Sequence, residues 1–183
     1  MNSVLNLTKR QFTFPDPRRD HIQGRHDARI ALLEYGDFEC PVCGESYPIV
    51  KAIQDELGAD LCFAFRHFPL ANIHPHAQRA GEAAEAAGVQ GKFWPMHDRL
   101  FEEQEALEIE DLTRHAGALS LDLSRFVTEL ISGAHRERVR EDFRLGARAG
   151  VNGTPSFFIN GTRYDGLRGL DQLLAALNEA RGW

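Results

Sequence analysis

The apolar positions of this chain fall into short dense runs, then a long stretch at helical spacing, then short runs again. Asp20–Gly24 reads as a short edge strand. Arg29–Tyr35 (RIALLEY) is a compact β-compatible run, and it places Ala31, Leu33 and Tyr35 on one face and Ile30, Leu32 and Glu34 on the other. Over 46–57 the period changes. Tyr47, Val50, Ile53 and Leu57 share a helix face, and Gly58 follows as a stop. LCFAFRHF, residues 61–68, is a second strand run. Strand, helix, strand in this order begins a parallel sheet.

Between about His74 and Ala149 no strand signal is convincing. An Ala-rich helix ending at Gly88 is predicted, then a helix with Pro95 in its first turn running to about Glu103. Further helices are expected near 109–118, 122–132 and 135–149. Strand signal returns at 156–159 (SFFI), Asn160-Gly161 is a hairpin turn signal, and TRYDG follows. From Gly169 to Arg181 an amphipathic helix is predicted with Leu170, Leu173, Leu174 and Leu177 inward. The expected organisation is an irregular arm at 1–19, a discontinuous α/β unit at 20–73 and 149–183, and an all-helical insertion at 74–148.

Composition narrows the function classes. The chain has 183 residues and a net charge of −6, so a basic nucleic-acid footprint is missing and no nucleic-acid partner is expected. No apolar run approaches the ~20 residues of a membrane span, so no membrane partner is expected either. The first residues carry Pro15 and Pro17, with no apolar leader core or small-residue cleavage site, and a cytoplasmic location is the expectation. In that compartment a cysteine pair is more often catalytic or metal-binding than a structural disulfide.

Of the three cysteines, Cys40 and Cys43 lie in YGDFECPVCGESY. A structural zinc site takes four Cys or His ligands, and no second pair stands beside this one; His67, His74 and His76 have no paired spacing that recommends them as ligands. Redox chemistry fits better. Cys40 follows a buried strand and opens a helix, with Pro41 at the first helical position. A sulfur there faces unpaired backbone N–H groups and the positive end of the helix dipole, which favour thiolate. Cys43, one turn on, is within reach for a disulfide. A strand leading into CxxC within a βαβ pattern is a thioredoxin-like redox signature.

The segments YGDFECPVCG, FRHFPL, HPHA, EAAEAAG, KFW-MHD and NGTPSFFING resemble the DsbA-like branch of the thioredoxin superfamily, over about Asp20 to Arg181. Within it the chain is most similar to bacterial thioredoxin-like protein-disulfide isomerases, including domains fused to sodium/proton antiporters. The resemblance implies a thioredoxin fold carrying a helical insertion. It implies an exposed nucleophile at Cys40 and a buried resolving thiol at Cys43. Thr154-Pro155 matches a loop whose proline is cis and lies against the disulfide, where backbone pairs with an extended substrate. Pro41, Val42, Thr154 and Pro155 are then the substrate-contacting residues. Glu34 occupies the place of a carboxylate beneath the active site. Its apolar face mates predict burial and a raised pKa, and so proton exchange with Cys43.

The expected activity is a protein thiol–disulfide oxidoreductase or isomerase that needs no cofactor, because two thiols carry both electrons. Its partners are protein or peptide substrates bearing disulfides or thiols, and a recycling reductant or oxidant. Two rivals stand beside it: a glutathione-using transferase or isomerase of the same branch, against which the intact CPVC speaks, and a zinc-bound interaction module. The sequence also suggests that Asp37, Glu39 and Glu45 hold back thiolate formation at Cys40. Cys62 reads as a buried core thiol, His74 and His76 as capping or packing groups, and Phe93, Trp94 and Phe101 as core of the helical block. The acidic stretch 102–111 and Arg136, Arg138, Arg140, Arg144 and Arg148 read as solvated faces.

Overall fold

The computed structural model describes residues 12–181. Strand β1 (His21–Gly24) and β2 (Ile30–Gly36) lead into helix α1 (Pro41–Leu57), and a single 3-10 turn at Gly58–Asp60 reverses the chain into β3 (Leu61–His67). Five helices follow: α2 (Ala77–Gly88), α3 (Phe93–Glu102), α4 (Ile109–Ala118), α5 (Leu123–Ser132) and α6 (Arg136–Arg148). The chain then returns to the sheet as β4 (Ser156–Ile159) and β5 (Thr162–Tyr164) and closes with α7 (Leu170–Ala180). This is a thioredoxin-like α/β fold with an all-helical insertion between β3 and β4.

The sheet order is β1-β3-β2-β4-β5. β2 and β3 are parallel, and the remaining pairs are antiparallel. β2 is central and buried along its whole length. Its alternation separates two cores. Ile30 and Leu32 pack with Phe63, Phe65, Phe157 and Ile159, with the buried face of α1 (Val50, Ile53, Leu57) and with Leu173 and Leu177 of α7. Leu33 and Tyr35 face the other way, against Ala64, Phe68, Val151 and Phe158. Glu34 thus points into the first core, in register with Phe65 on one side and Phe157 on the other.

Local chemistry explains the ends of these elements. Asn160 and Gly161 both have positive φ (47° and 82°), the turn that the twist of a two-residue hairpin favours. Asn160 adds a tertiary tie, because its side chain accepts from Ala31 N at 2.8 Å and donates to Ala180 O at 3.1 Å. Leu170 departs from expectation. It lies in the first turn of α7 and is 36% exposed, because only Leu173 and Leu177 reach the sheet while Leu174 packs at its margin. The irregular arm expected at 1–19 is described only from residue 12, and residues 1–11 lie outside the described residues. What is described is held tightly. Phe12 O and Phe14 O accept from the buried Arg66 guanidinium at 3.1 and 2.8 Å.

Candidate active site

Two backbone features place the cysteines. The first is the junction of β2 and α1. Cys40 is the N-cap residue of α1, extended at φ −72° and ψ 120°, with Pro41 beginning the helix. Its carbonyl accepts from Cys43 N (3.0 Å) and Gly44 N (3.1 Å), which closes the first turn and sets Cys43 beneath it. An N-cap side chain normally accepts from the amides two and three residues on. Here those amides belong to Val42 and Cys43; the Cys40 side chain makes no cap hydrogen bond, yet both amides favour its thiolate.

The second is the loop before β4. The Thr154–Pro155 bond is cis, and Ser156 Oγ braces the turn by donating to Gly153 O at 2.7 Å. The Thr154 carbonyl meets the Cys40 thiol at 3.5 Å. The Thr154 hydroxyl is buried and makes no hydrogen bond, so it is free to donate to a thiolate. The site is therefore assembled from residues at both ends of the fold.

The two thiols differ sharply in acidity. Cys40 is brought down to about 5, by the Cys43 thiol that donates to its thiolate, by the Thr154 side chain, and by the Cys43 and Val42 amides, against the opposing effect of burial. Cys43 is pushed well above the usual thiol value, by burial first, then by donating to Cys40 and by the charge of Glu34. Glu34 rises to about 8, through burial and then the nearby Cys40 thiolate. All three cysteines are free thiols in this structure. Cys62 is buried in β3, with a thiol raised to about 11 by burial and by the Asp20 charge.

Two expectations need correction. Cys40 is not an openly exposed nucleophile. It is 5% accessible, because the cis-proline loop lies across it, while the intervening Pro41 and Val42 are both exposed. Nor are the nearby carboxylates what opposes its ionisation. Asp37 is buried and spent on structure, accepting from Glu39 N (2.9 Å), Leu70 N (2.9 Å) and His74 Nδ1 (2.8 Å). Glu39 turns away to accept from His76 N at 2.6 Å, and Glu45 points to solvent. The opposing effect is desolvation.

Sequence reading missed this Asp37 hub, which ties the CPVC loop to the FRHFPL and HPHA segments. The one signal available was that these three segments travel together in the resemblance. It also missed Gln104, a single amide within an acidic stretch, whose side chain reaches the backbone on either side of Glu39.

Among the described residues, the grouping with metal-ligand spacing is His67, Glu85 and Asp142, which includes neither Cys40 nor Cys43. It already holds its counter-charges. Arg19 and Arg138 both contact Asp142, and the His67 and His21 imidazoles flank Glu85. No helix among the described residues is long and apolar enough to cross a membrane.

Comparison with known proteins agrees with the fold. The sodium/proton antiporter NhaA 1 of Salinispora arenicola is 44% identical over 165 residues, covering 90% of this chain and 25% of that protein. NhaA 3 of Salinispora tropica is 42% identical with the same coverage. The chain spans about a quarter of the length of the curated relatives it matches. Among solved structures, a thioredoxin-like oxidoreductase from Silicibacter pomeroyi superposes with a TM-score of 0.83 at 24% identity, covering 95% of this chain and 98% of that one. Oxidised BdbD from Bacillus subtilis gives 0.82 at 21%, with 93% and 97% covered. The catalytic domain of Proteus mirabilis ScsC gives 0.81 at 18%, with 98% of each chain covered. The thioredoxin family model matches residues 17–179, nearly the entire sequence, and this chain belongs to that family.

Proposed function

We propose that the chain is a thiol–disulfide oxidoreductase that exchanges disulfides with extended protein segments. The observation that carries this reading is the Cys40 sulfur: it sits at the N-cap position of a helix, ionises near pH 5 and lies against Thr154 with Cys43 in contact. At neutral pH the nucleophile is already formed.

The Cys40 thiolate attacks one sulfur of a substrate disulfide, forming the Cys40–substrate bond and releasing the other substrate sulfur as thiolate. Cys43 then loses its proton and attacks Cys40, forming the Cys40–Cys43 disulfide and releasing the second substrate sulfur. Two electrons pass from the enzyme thiols to the substrate. Glu34 lies close enough for its charge to raise the Cys43 pKa, and its own value near 8 suits it to take the Cys43 proton and return it in the reverse direction. Backbone at Thr154 offers the edge on which an extended substrate pairs, with Pro155, Pro41 and Val42 beside the reacting sulfurs. An external dithiol or disulfide resets the pair. Protein-disulfide isomerisation follows from the same chemistry when the mixed disulfide is attacked by a third, substrate thiol.

Trapping tests the division of labour. Cys43→Ala should accumulate mixed disulfides with a reduced-and-reoxidised model substrate, released by dithiothreitol, while Cys40→Ala should form none. Equal trapping by both variants, or by neither, overturns the assignment.

A further inference from the structure

The helical insertion touches the redox centre through a side chain that the mechanism above does not use. Gln104 sits in the turn after α3, within the insertion, and is half-buried. Its Nε2 donates to Phe38 O at 2.8 Å and to Cys40 O at 3.0 Å. A primary amide nitrogen has two hydrogens, and both are committed here. They clasp the backbone two residues before and at the N-cap cysteine, across 66 and 64 residues of sequence.

The other end of the same amide explains a residue of the CPVCG segment. A Cβ placed on Gly44 would lie 2.0 Å from Gln104 Oε1. Gly44 is inside a helix and lacks a positive φ, so conformational freedom is not what calls for glycine there. The space above it is taken by the amide.

The turn that carries Gln104 is itself anchored. Glu103, next to it, is held by Arg99 at 2.5 Å and Arg114 at 3.1 Å, and Ala106 O bonds to His115 Nε2 at 3.0 Å. Those anchors come from α3 and α4. The amide is thus presented from a braced platform rather than from a loose loop.

We infer that Gln104 is a positioning residue through which the helical insertion holds the Cys40 backbone in the geometry that stabilises its thiolate. This inference rests on the redox reading of Cys40 and Cys43. The thiolate depends on directed contacts from the Cys43 thiol, the Thr154 side chain and the Val42 and Cys43 amides. Hydrogen bonds weaken steeply with misalignment. Freeing the Phe38 and Cys40 carbonyls from the clasp lets the N-cap turn relax, and the sulfur loses part of that set. A less stabilised thiolate makes the reduced form less favoured and the disulfide a weaker oxidant.

Three variants separate this from a general packing role. Gln104→Ala removes both donors. Gln104→Glu keeps the shape and turns donors into acceptors facing two carbonyls. Gly44→Ala puts a methyl group where the amide oxygen lies and displaces the flexible end of Gln104, while alanine is the better helix former, so α1 is not weakened. The exposed neighbour Glu105→Gln is the control. Two quantities are read: the Cys40 pKa from thiolate absorbance near 240 nm, and the equilibrium constant of the Cys40–Cys43 pair with glutathione.

All three variants should raise the Cys40 pKa and lower the oxidising equilibrium constant, by about tenfold for Gln104→Glu, which corresponds to about 30 mV for a two-electron couple. Far-UV circular dichroism should be unchanged, and Glu105→Gln should match wild type. Folded Gln104→Ala and Gly44→Ala proteins with wild-type pKa and potential would overturn the inference. A wild-type protein whose Cys40 and Cys43 do not exchange with glutathione would instead overturn the redox function itself.

Discussion

The Cys40 thiol and the Thr154 carbonyl meet at 3.5 Å although 114 residues separate them in the sequence. One sits where β2 hands over to α1, the other where the chain returns from the helical insertion to β4. The contact makes the sulfur an inside feature of the site. The Thr154 hydroxyl is buried and has no hydrogen-bond partner in this structure.

Selective alkylation follows from the three thiols' surroundings. Reduced native protein given a brief pulse of iodoacetamide at neutral pH should be labelled at Cys40 alone, with a labelling rate that half-saturates near pH 5. Cys43 is held well above the ordinary thiol range by burial, and Cys62 lies near 11 inside β3. Small reagent size matters, since Cys40 is 5% accessible. Peptide mass mapping reads the site. Dominant labelling of Cys62 would mean that β3 is open where the structure closes it.

Redox poise can be placed from the same geometry. A Cys40 value of about 5 falls between the ~7 of thioredoxin and the ~3.5 of DsbA. The potential is expected between about −270 and −120 mV, and in a reducing compartment the pair rests as the dithiol. Val42 is exposed between the cysteines, so Val42→His puts a protonatable ring beside the thiolate without disturbing the core. It should move the potential upward. A glutathione titration of both proteins decides it, and a downward shift would refute the electrostatic account.

A buried ion pair ties the sheet to the chain's N-terminal side. The Arg66 and Asp20 side chains are both fully buried, and the guanidinium bonds both carboxylate oxygens, at 3.0 and 2.7 Å, and the Tyr35 hydroxyl at 2.9 Å. Arg66→Met should cost about 3–5 kcal/mol, because the buried Asp20 carboxylate loses its two-pronged partner and keeps the longer Arg19 contact at 3.3 Å. Arg66→Met with Asp20→Asn should recover part of that loss. Urea unfolding of the single and double variants measures the coupling. Strict additivity of the two changes would show that the pair acts no more than its separate parts.

The particular residues that were legible in the sequence share a property: their environment is set by nearest neighbours along the chain. Alternation through β2 put Glu34 among apolar residues, and it is buried there. The Asn160-Gly161 turn and the Cys40 helix start were likewise local. Leu170 was misread because an amphipathic stripe tells which side faces inward but not where the sheet ends. The depth of Cys40 depends on the Thr154 loop, and the spending of Asp37 on His74 and Leu70 depends on a tertiary meeting. Arg66 with Asp20 was invisible for a related reason. Charged residues default to the surface, and only a partner from elsewhere in the fold makes burial tolerable.

Glu34 offers the sharpest pH test. Burial raises its pKa to about 8, with the Cys40 thiolate adding to the effect, whereas an unfolded carboxyl titrates near ~4.3. Between those values the folded protein keeps a proton that the unfolded chain has lost. Its stabilising contribution is therefore full below the unfolded value and is lost as pH rises through the folded one. One pKa unit is about 1.4 kcal/mol, so the loss has a ceiling of about 5 kcal/mol. Relative to Glu34→Gln, the wild type should lose stability steadily from about pH 4.5 to 8. The oxidised protein is the cleaner sample, because no thiolate is present and burial alone acts. In the proposed mechanism the same proton governs resolution. In the mixed disulfide Cys40 is uncharged, so the release of substrate by Cys43 should accelerate through a pKa at or somewhat below about 8. In Glu34→Gln that step should be slower by about 10²-fold and lose this inflection. Stopped-flow release from a preformed Cys40 mixed disulfide, followed across pH, reads both features. An unchanged inflection in Glu34→Gln would assign the proton transfer to another group.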